Sequence, residues 1–114
     1  MSAPELDPED AKLVTLARSA RVRSLIGADL PAEGAAVRDE TGRTYAAATV
    51  VKGALRLPAL HLAIASALAS GARSFEAAAV VTGADSPAGA ELLADVGQPA
   101  LIVAGPDGVV RAAG

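Results

Sequence analysis

With 114 residues, 52% of them hydrophobic, the chain has material for one buried core and too little for two domains. A formal net charge of -3 leaves no basic stripe for phosphates, and one Tyr, one Phe and no Trp leave no stacking platform for bases, so no nucleic-acid partner is expected. The absence of cysteine removes disulfides, thiolate metal ligands and thiol nucleophiles together.

The stretch from Met1 to Asp10 is acidic and contains proline, unlike a secretory signal. No apolar run approaches the roughly 20 residues that span a bilayer, and no polybasic patch is present. These features predict a cytoplasmic protein without membrane contact, one domain over residues 1–114 with residues 1–6 as a flexible tail. Alanine is about a quarter of the chain and arginine outnumbers lysine eight to two, so helix propensity by itself discriminates poorly between elements.

Asp7 and Pro8 open the first helix, the one as an acceptor for free amides and the other at the first helical position, with Glu9 and Asp10 opposing the dipole. Leu13, Val14, Leu16, Ala17 and Ala20 follow at helical spacing, and Arg18, Arg21 and Arg23 mark its end as a solvated or intersubunit face. Gly27 and Pro31 place a loop from Ser24 to Glu33. Residues Gly34 to Arg38 and Thr44 to Ala48 flank the turn Asp39-Glu40-Thr41-Gly42 and predict a β-hairpin. Pro58 opens a second helix to about Ser70, closed by Gly71 and apolar nearly all round. Phe75 to Thr82 reads as a buried central strand, Pro87 to Val96 as a third helix capped by Asp85-Ser86-Pro87, and Ala100 to Ala104 as a further strand. The turn Gly105 to Gly108 leads into a last strand at Val109-Val110-Arg111. The order α-β-β-α-β-α-β-β predicts an α/β domain with a sheet covered on both faces.

Four strings in this order resemble cytidine deaminases. Gly34-Ala35-Ala36-Val37 is similar to that family's GAAL strand, and Gly42-Arg43-Thr44-Tyr45 to its GRVY hairpin return. Ala67 to Gly71 followed by Phe75 to Val81 resembles the end of the catalytic helix and the central strand after it. Glu91 to Gly97 followed by Pro99 to Ala104 resembles the family's last helix and the strand it feeds. The resemblance begins near Leu6 and implies a three-layer sandwich, a mixed five-stranded sheet with helices on both faces. It also implies a homo-oligomer, dimer or tetramer.

Family chemistry needs a Cys or His and a Glu at the start of the second helix and two further cysteines at the start of the third. Three ligands hold zinc with one open position, and the glutamate moves the proton. In this chain the first ligand position falls on Pro58 and the glutamate on Leu60. The paired cysteines fall on Ser86 and Gly89, or on Ala88 and Glu91 if the preceding prolines are aligned. The family's ribose-binding N-x-E string corresponds to Thr49-Val50-Val51. The sequence therefore reads as a deaminase fold without cofactor or metal, not an enzyme, with a structural or regulatory role through oligomer or protein-partner contacts. Thr49, Val51, Pro58, Leu60, His61, Ser86 and Gly89 mark its vestigial pocket, where a less polar small molecule or a nucleoside is the alternative occupant, and an active deaminase is the reading the residues favour least.

His61, the single histidine, lacks the glutamate two residues on that an H-x-E motif demands, since that position is Ala63. It reads as a helix-face residue at the pocket mouth. A hydrolase set of Ser66 or Ser86 with His61 and Asp85 lacks a G-x-S-x-G elbow. Free amides at the start of the third helix could accept a phosphate or carboxylate. Ala59, Ala63 and Ala67 give the second helix a small-residue stripe, the expected oligomer face.

Overall fold

The computed structural model describes residues 6–27 and 29–114. The tail expected over residues 1–6 lies outside the described residues except for Leu6.

Helix α1, Pro8–Arg21, begins where the sequence places it, with the Asp10 amide donating to Asp7 Oδ1 at 2.9 Å. Strands β1 (Glu33–Asp39) and β2 (Thr44–Ala48) form the expected antiparallel hairpin, with Gly42 in its turn. A short hairpin, β3 (Val50–Lys52) and β4 (Leu55–Leu57), leads into helix α2, Ala59–Ala69. Strand β5 spans Phe75–Thr82, a 3-10 helix Ala90–Val96 follows, and β6 (Ala100–Ala104) and β7 (Val110–Ala113) end the fold. The main sheet has the strand order β2-β1-β5-β6-β7. Its β5–β6 pair is parallel and the other neighbours are antiparallel. This is the mixed five-stranded α/β sandwich that the sequence implies.

Strand alternation divides the core between the two faces. Ala36, Ala77, Ala79, Val81, Ile102 and Ala104 meet Leu13, Val14 and Ala17 of α1. Ala35, Val37, Ala78 and Val80 meet Leu60, Ile64 and the alanines of α2, with Leu93 of the 3-10 helix. Alanine on the sheet lets the helices settle close. The tightest approach is at Gly34, where a Cβ would lie 1.8 Å from the Ala17 carbonyl oxygen.

Three expectations need correction, and one element is new. The third helix does not run from Pro87: Gly89 takes a left-handed φ of 78°, so only Ala90–Val96 coils, as a 3-10 turn, and no Asp85 or Ser86 side chain caps it. The new element is the β3–β4 hairpin after Ala48, beside which Leu25 makes a parallel bridge to Val50. The last strand starts at Val110, because the Gly105 amide donates to Val109's carbonyl and keeps that residue in the turn. Ala59, Ala63 and Ala67 are no outward face: each is 0% exposed, packed against the chain's own sheet. The outward side of α2 is Ala65, Ser66, Leu68 and Ala69, with Leu62 at its margin. Among the described residues no helix is long and apolar enough to cross a membrane.

Candidate functional site

The alternation that sends Ala35 and Val37 toward α2 sends Glu33, at the head of β1, the same way. Glu33 is fully buried. Both of its carboxylate oxygens lie 3.2 Å from the backbone nitrogen of Ala88, which donates to them. Thr82, at the end of β5, donates its hydroxyl to the same carboxylate and accepts the Ala84 amide at 3.0 Å. Among the described residues Glu33 makes no ion pair. Burial holds its carboxyl above the usual glutamate range, against the opposing pull of Thr82, the Ala88 amide and the Arg21 charge.

Thr49 sits beside it. Its hydroxyl accepts the Glu33 amide at 3.0 Å and donates to the Pro31 carbonyl at 2.8 Å, so it fixes the entry of β1 and has no proton left for a ligand. Pro58 and His61, from the first turn of α2, close on Gly89, where a Cβ would stand 2.5 Å from His61 Nε2 and 3.2 Å from Pro58 Cβ. His61 Nε2 lies 3.1 Å from the Gly89 carbonyl oxygen, and since a carbonyl only accepts, Nε2 carries the proton. From the other side Arg111 of β7 donates to the carbonyls of Thr82 and Asp85, each at 3.1 Å.

The structure thus joins Pro58, His61 and Gly89 in one corner, with Thr49 and Glu33 behind it. It does not bring the remaining expected residues in. Leu60 is 0% exposed within the apolar core, Ser86 is exposed, and Val51 belongs to the β3–β4 hairpin, where it packs against Gly27. Of the alternative cysteine register, Ala88 is partly buried and Glu91 faces solvent. The hydrolase set is not assembled, because His61 Nε2 is engaged by Gly89 and both Ser66 and Ser86 are exposed without a hydrogen bond to it. Glu33 is not among the residues the sequence singles out, because Gly27 and Pro31 assign it to the end of a loop. Its signal was present: it continues the inward set of Ala35 and Val37 by two residues. A separate surface cleft of about 580 Å³, lined by Asp7, Pro8, Glu9, Arg38, Gly42 and Glu76, lies at the start of α1 and shares none of these residues.

A zinc centre built as in the deaminases does not fit this corner. Pro58 and Leu60 offer no donor, each register for the paired ligands contains a residue with no side-chain ligand, Gly89 beside Ser86 in one and Ala88 beside Glu91 in the other, and among the described residues no three His, Asp or Glu side chains converge. The Ala88 amide is already taken by Glu33.

The family model described as cytidine deaminase-like matches residues 6–108. Among solved structures, cytidine deaminase from Burkholderia pseudomallei is 26% identical with a TM-score of 0.76, covering 88% of this chain and 87% of that one. Cytidine deaminase from Mycobacterium leprae is 25% identical, TM-score 0.68, covering 94% of this chain and 93% of its own. The Mycobacterium tuberculosis deaminase, at 23% identity and TM-score 0.70, covers 94% and 90% and supports the fold. No curated protein matches in sequence. These matches correct one expectation from the sequence: the reading of the chain as no enzyme is overturned, because the structures that share its fold and a quarter of its residues are enzymes by name.

Proposed function

Because the chain belongs to the cytidine deaminase-like family, we propose that it works as an assembly of identical copies, with a structural or regulatory role exerted through the contact between them. One observation carries this reading. From Ala59 to Ser70 there is no charged residue, although Ala65, Ser66, Leu68 and Ala69 face outward. Leu68 alone leaves 47% of its surface to water. A surface helix of a monomer ordinarily turns a charged or polar side to solvent, and an uncharged outer side supports burial from both directions. The alanines beneath it are fully used by the chain's own sheet, so a second copy would meet Leu62, Ala65 and Leu68.

The test is sedimentation velocity on the full chain and on Leu68→Glu. The native chain is expected to sediment as a dimer or tetramer of the 11.2 kDa protomer, and the variant to shift toward monomer while keeping its far-UV circular dichroism. A native chain that stays monomeric at tens of micromolar overturns the reading.

A further inference from the structure

The metal does not fit the corner, and a carboxylate stands in its neighbourhood instead. Glu33 reaches from β1 across 55 positions of sequence to the Ala88 amide and touches no solvent. The segment it holds, Gly83–Gly89, lies over Pro58 and His61 at the start of α2 and lacks regular structure. Four side chains fasten it: Glu33 on Ala88, His61 on Gly89, Thr82 on the Ala84 amide, and Arg111 on the carbonyls of Thr82 and Asp85. Of these, the Arg111 and Thr82 contacts are to backbone atoms and do not involve the Glu33 carboxyl's proton. His61 donates to a carbonyl whether its ring is neutral or charged. Glu33 is the fastening whose sign changes with its proton.

We propose that Gly83–Gly89 is a lid over the Pro58–His61 corner, latched shut while Glu33 is the neutral acid and released when that carboxyl ionises. The physical cause is the absence of a compensating ion pair. A buried carboxylate held by one backbone amide and one hydroxyl loses more hydration than these bonds return, whereas the neutral acid is buried at small cost and still accepts from Ala88. Swinging the lid away hydrates the carboxylate.

Charges around Glu33 bear on this balance from each side. Arg21 of α1, whose Nε donates to the Ala32 carbonyl at 3.0 Å, attracts the anion and weakens the switch. Asp85 on the lid is exposed, and Arg111 and His61 grip the lid's two ends. Because Glu33 is fully buried and makes no ion pair among the described residues, burial outweighs the Arg21 charge and holds the carboxyl above its ordinary value. Linkage then fixes the sign: the closed form binds the proton more tightly, so it is favoured at low pH and gives way as pH rises through the raised value. The open population grows by about tenfold for every pH unit separating the buried carboxyl from the hydrated one.

Amide hydrogen exchange by NMR on the full-length ¹⁵N-labelled chain between pH 4 and 8 tests the lid, with the Val80 amide in β5 as the internal reference. The Ala88 amide, which donates to Glu33, is expected to lose protection, beyond the rise in intrinsic exchange common to all amides, as Glu33 titrates. Glu33→Gln, neutral at every pH and still an acceptor for Ala88, is expected to hold the lid closed across the range. Excess pH dependence at Ala88 that persists in Glu33→Gln overturns the proposal. A ¹³C carboxyl titration of Glu33 in the native chain decides the matter should the variant fail to fold: titration above the ordinary glutamate value supports the latch, and titration at or below it overturns the latch.

Discussion

Asp39 shows how one carboxylate can set a turn. Its Oδ1 accepts the Thr41 hydroxyl at 2.6 Å, the Thr41 amide at 2.9 Å and the Arg43 amide at 3.0 Å, while Oδ2 accepts the Tyr45 phenol at 3.0 Å. The hydroxyl of Thr41 contributes most to holding the Asp39 carboxyl below the usual aspartate range, with the amides and Tyr45 assisting against burial. Tyr45 feels the same contact with the opposite sign. Burial first, and then the bond to Asp39 and its charge, push the phenol above its ordinary value. Since Tyr45 is the only tyrosine and there is no tryptophan, its ionisation is read directly by ultraviolet absorbance. Asp39→Asn removes the anion while keeping the shape, so the tyrosine is expected to titrate at lower pH in that variant. An unchanged curve would show that burial alone holds the phenol up.

At the scale of elements, the pairing of α1 with β1 depends on Gly34. A methyl at that position would lie 1.8 Å from the Ala17 carbonyl oxygen and 2.7 Å from the Arg21 nitrogen, and both are backbone atoms that cannot rotate away. Gly34→Ala must therefore lift α1 off the sheet, an overpacking defect expected to cost about 3 kcal/mol in urea denaturation. A loss under about 1 kcal/mol would mean that the helix slides aside freely. The contact was hidden in the sequence, where Gly34 reads only as the first residue of a family string. The elements themselves were far more legible. The Asp7-Pro8 start of α1 follows from local capping chemistry, and β5 and β6 follow from apolar runs cut by Gly, Pro and charge. The β3–β4 hairpin was not legible because its strands are three residues each and carry Lys52 and Arg56 outward, a pattern too short to show alternation. The corner around Gly89 was half legible. Register counting puts Pro58 and Gly89 in one pocket, and Pro58 lies where a Gly89 side chain would project, but the inward carboxylate of Glu33 belongs to long-range packing that spacing does not reveal.

For the whole molecule, three carboxyl groups pull stability in opposite directions with pH. Asp39 has a folded value below its ordinary 3.8, so its contribution is present above that ordinary value and is lost as pH falls through the folded one. Glu40, lowered chiefly by the Arg73 amide, acts in the same sense from its ordinary 4.5. Glu33 is raised, so its contribution is complete below the ordinary 4.5 and is lost as pH climbs through the folded value. The stability profile is therefore expected to rise on leaving strong acid, pass a maximum near the ordinary carboxylate values and decline on the neutral side. Glu33→Gln should remove the neutral-side decline and leave the acid limb intact, whereas Asp39→Asn should make the acid limb shallower, leaving the share due to Glu40, and spare the neutral side. Urea midpoints measured at intervals of pH separate these outcomes, and a neutral-side decline that survives in Glu33→Gln would assign it to another group. The depth of that decline carries a second piece of information. If the Gly83–Gly89 lid opens to hydrate Glu33 while the sheet stays folded, the native basin escapes the full penalty of a buried anion. Global stability then falls by no more than the free energy of opening the lid, and it levels off at the pH where Ala88 has already lost its protection. A rigid lid predicts instead that the decline continues until the folded Glu33 value is passed, with Ala88 exchanging only through global unfolding.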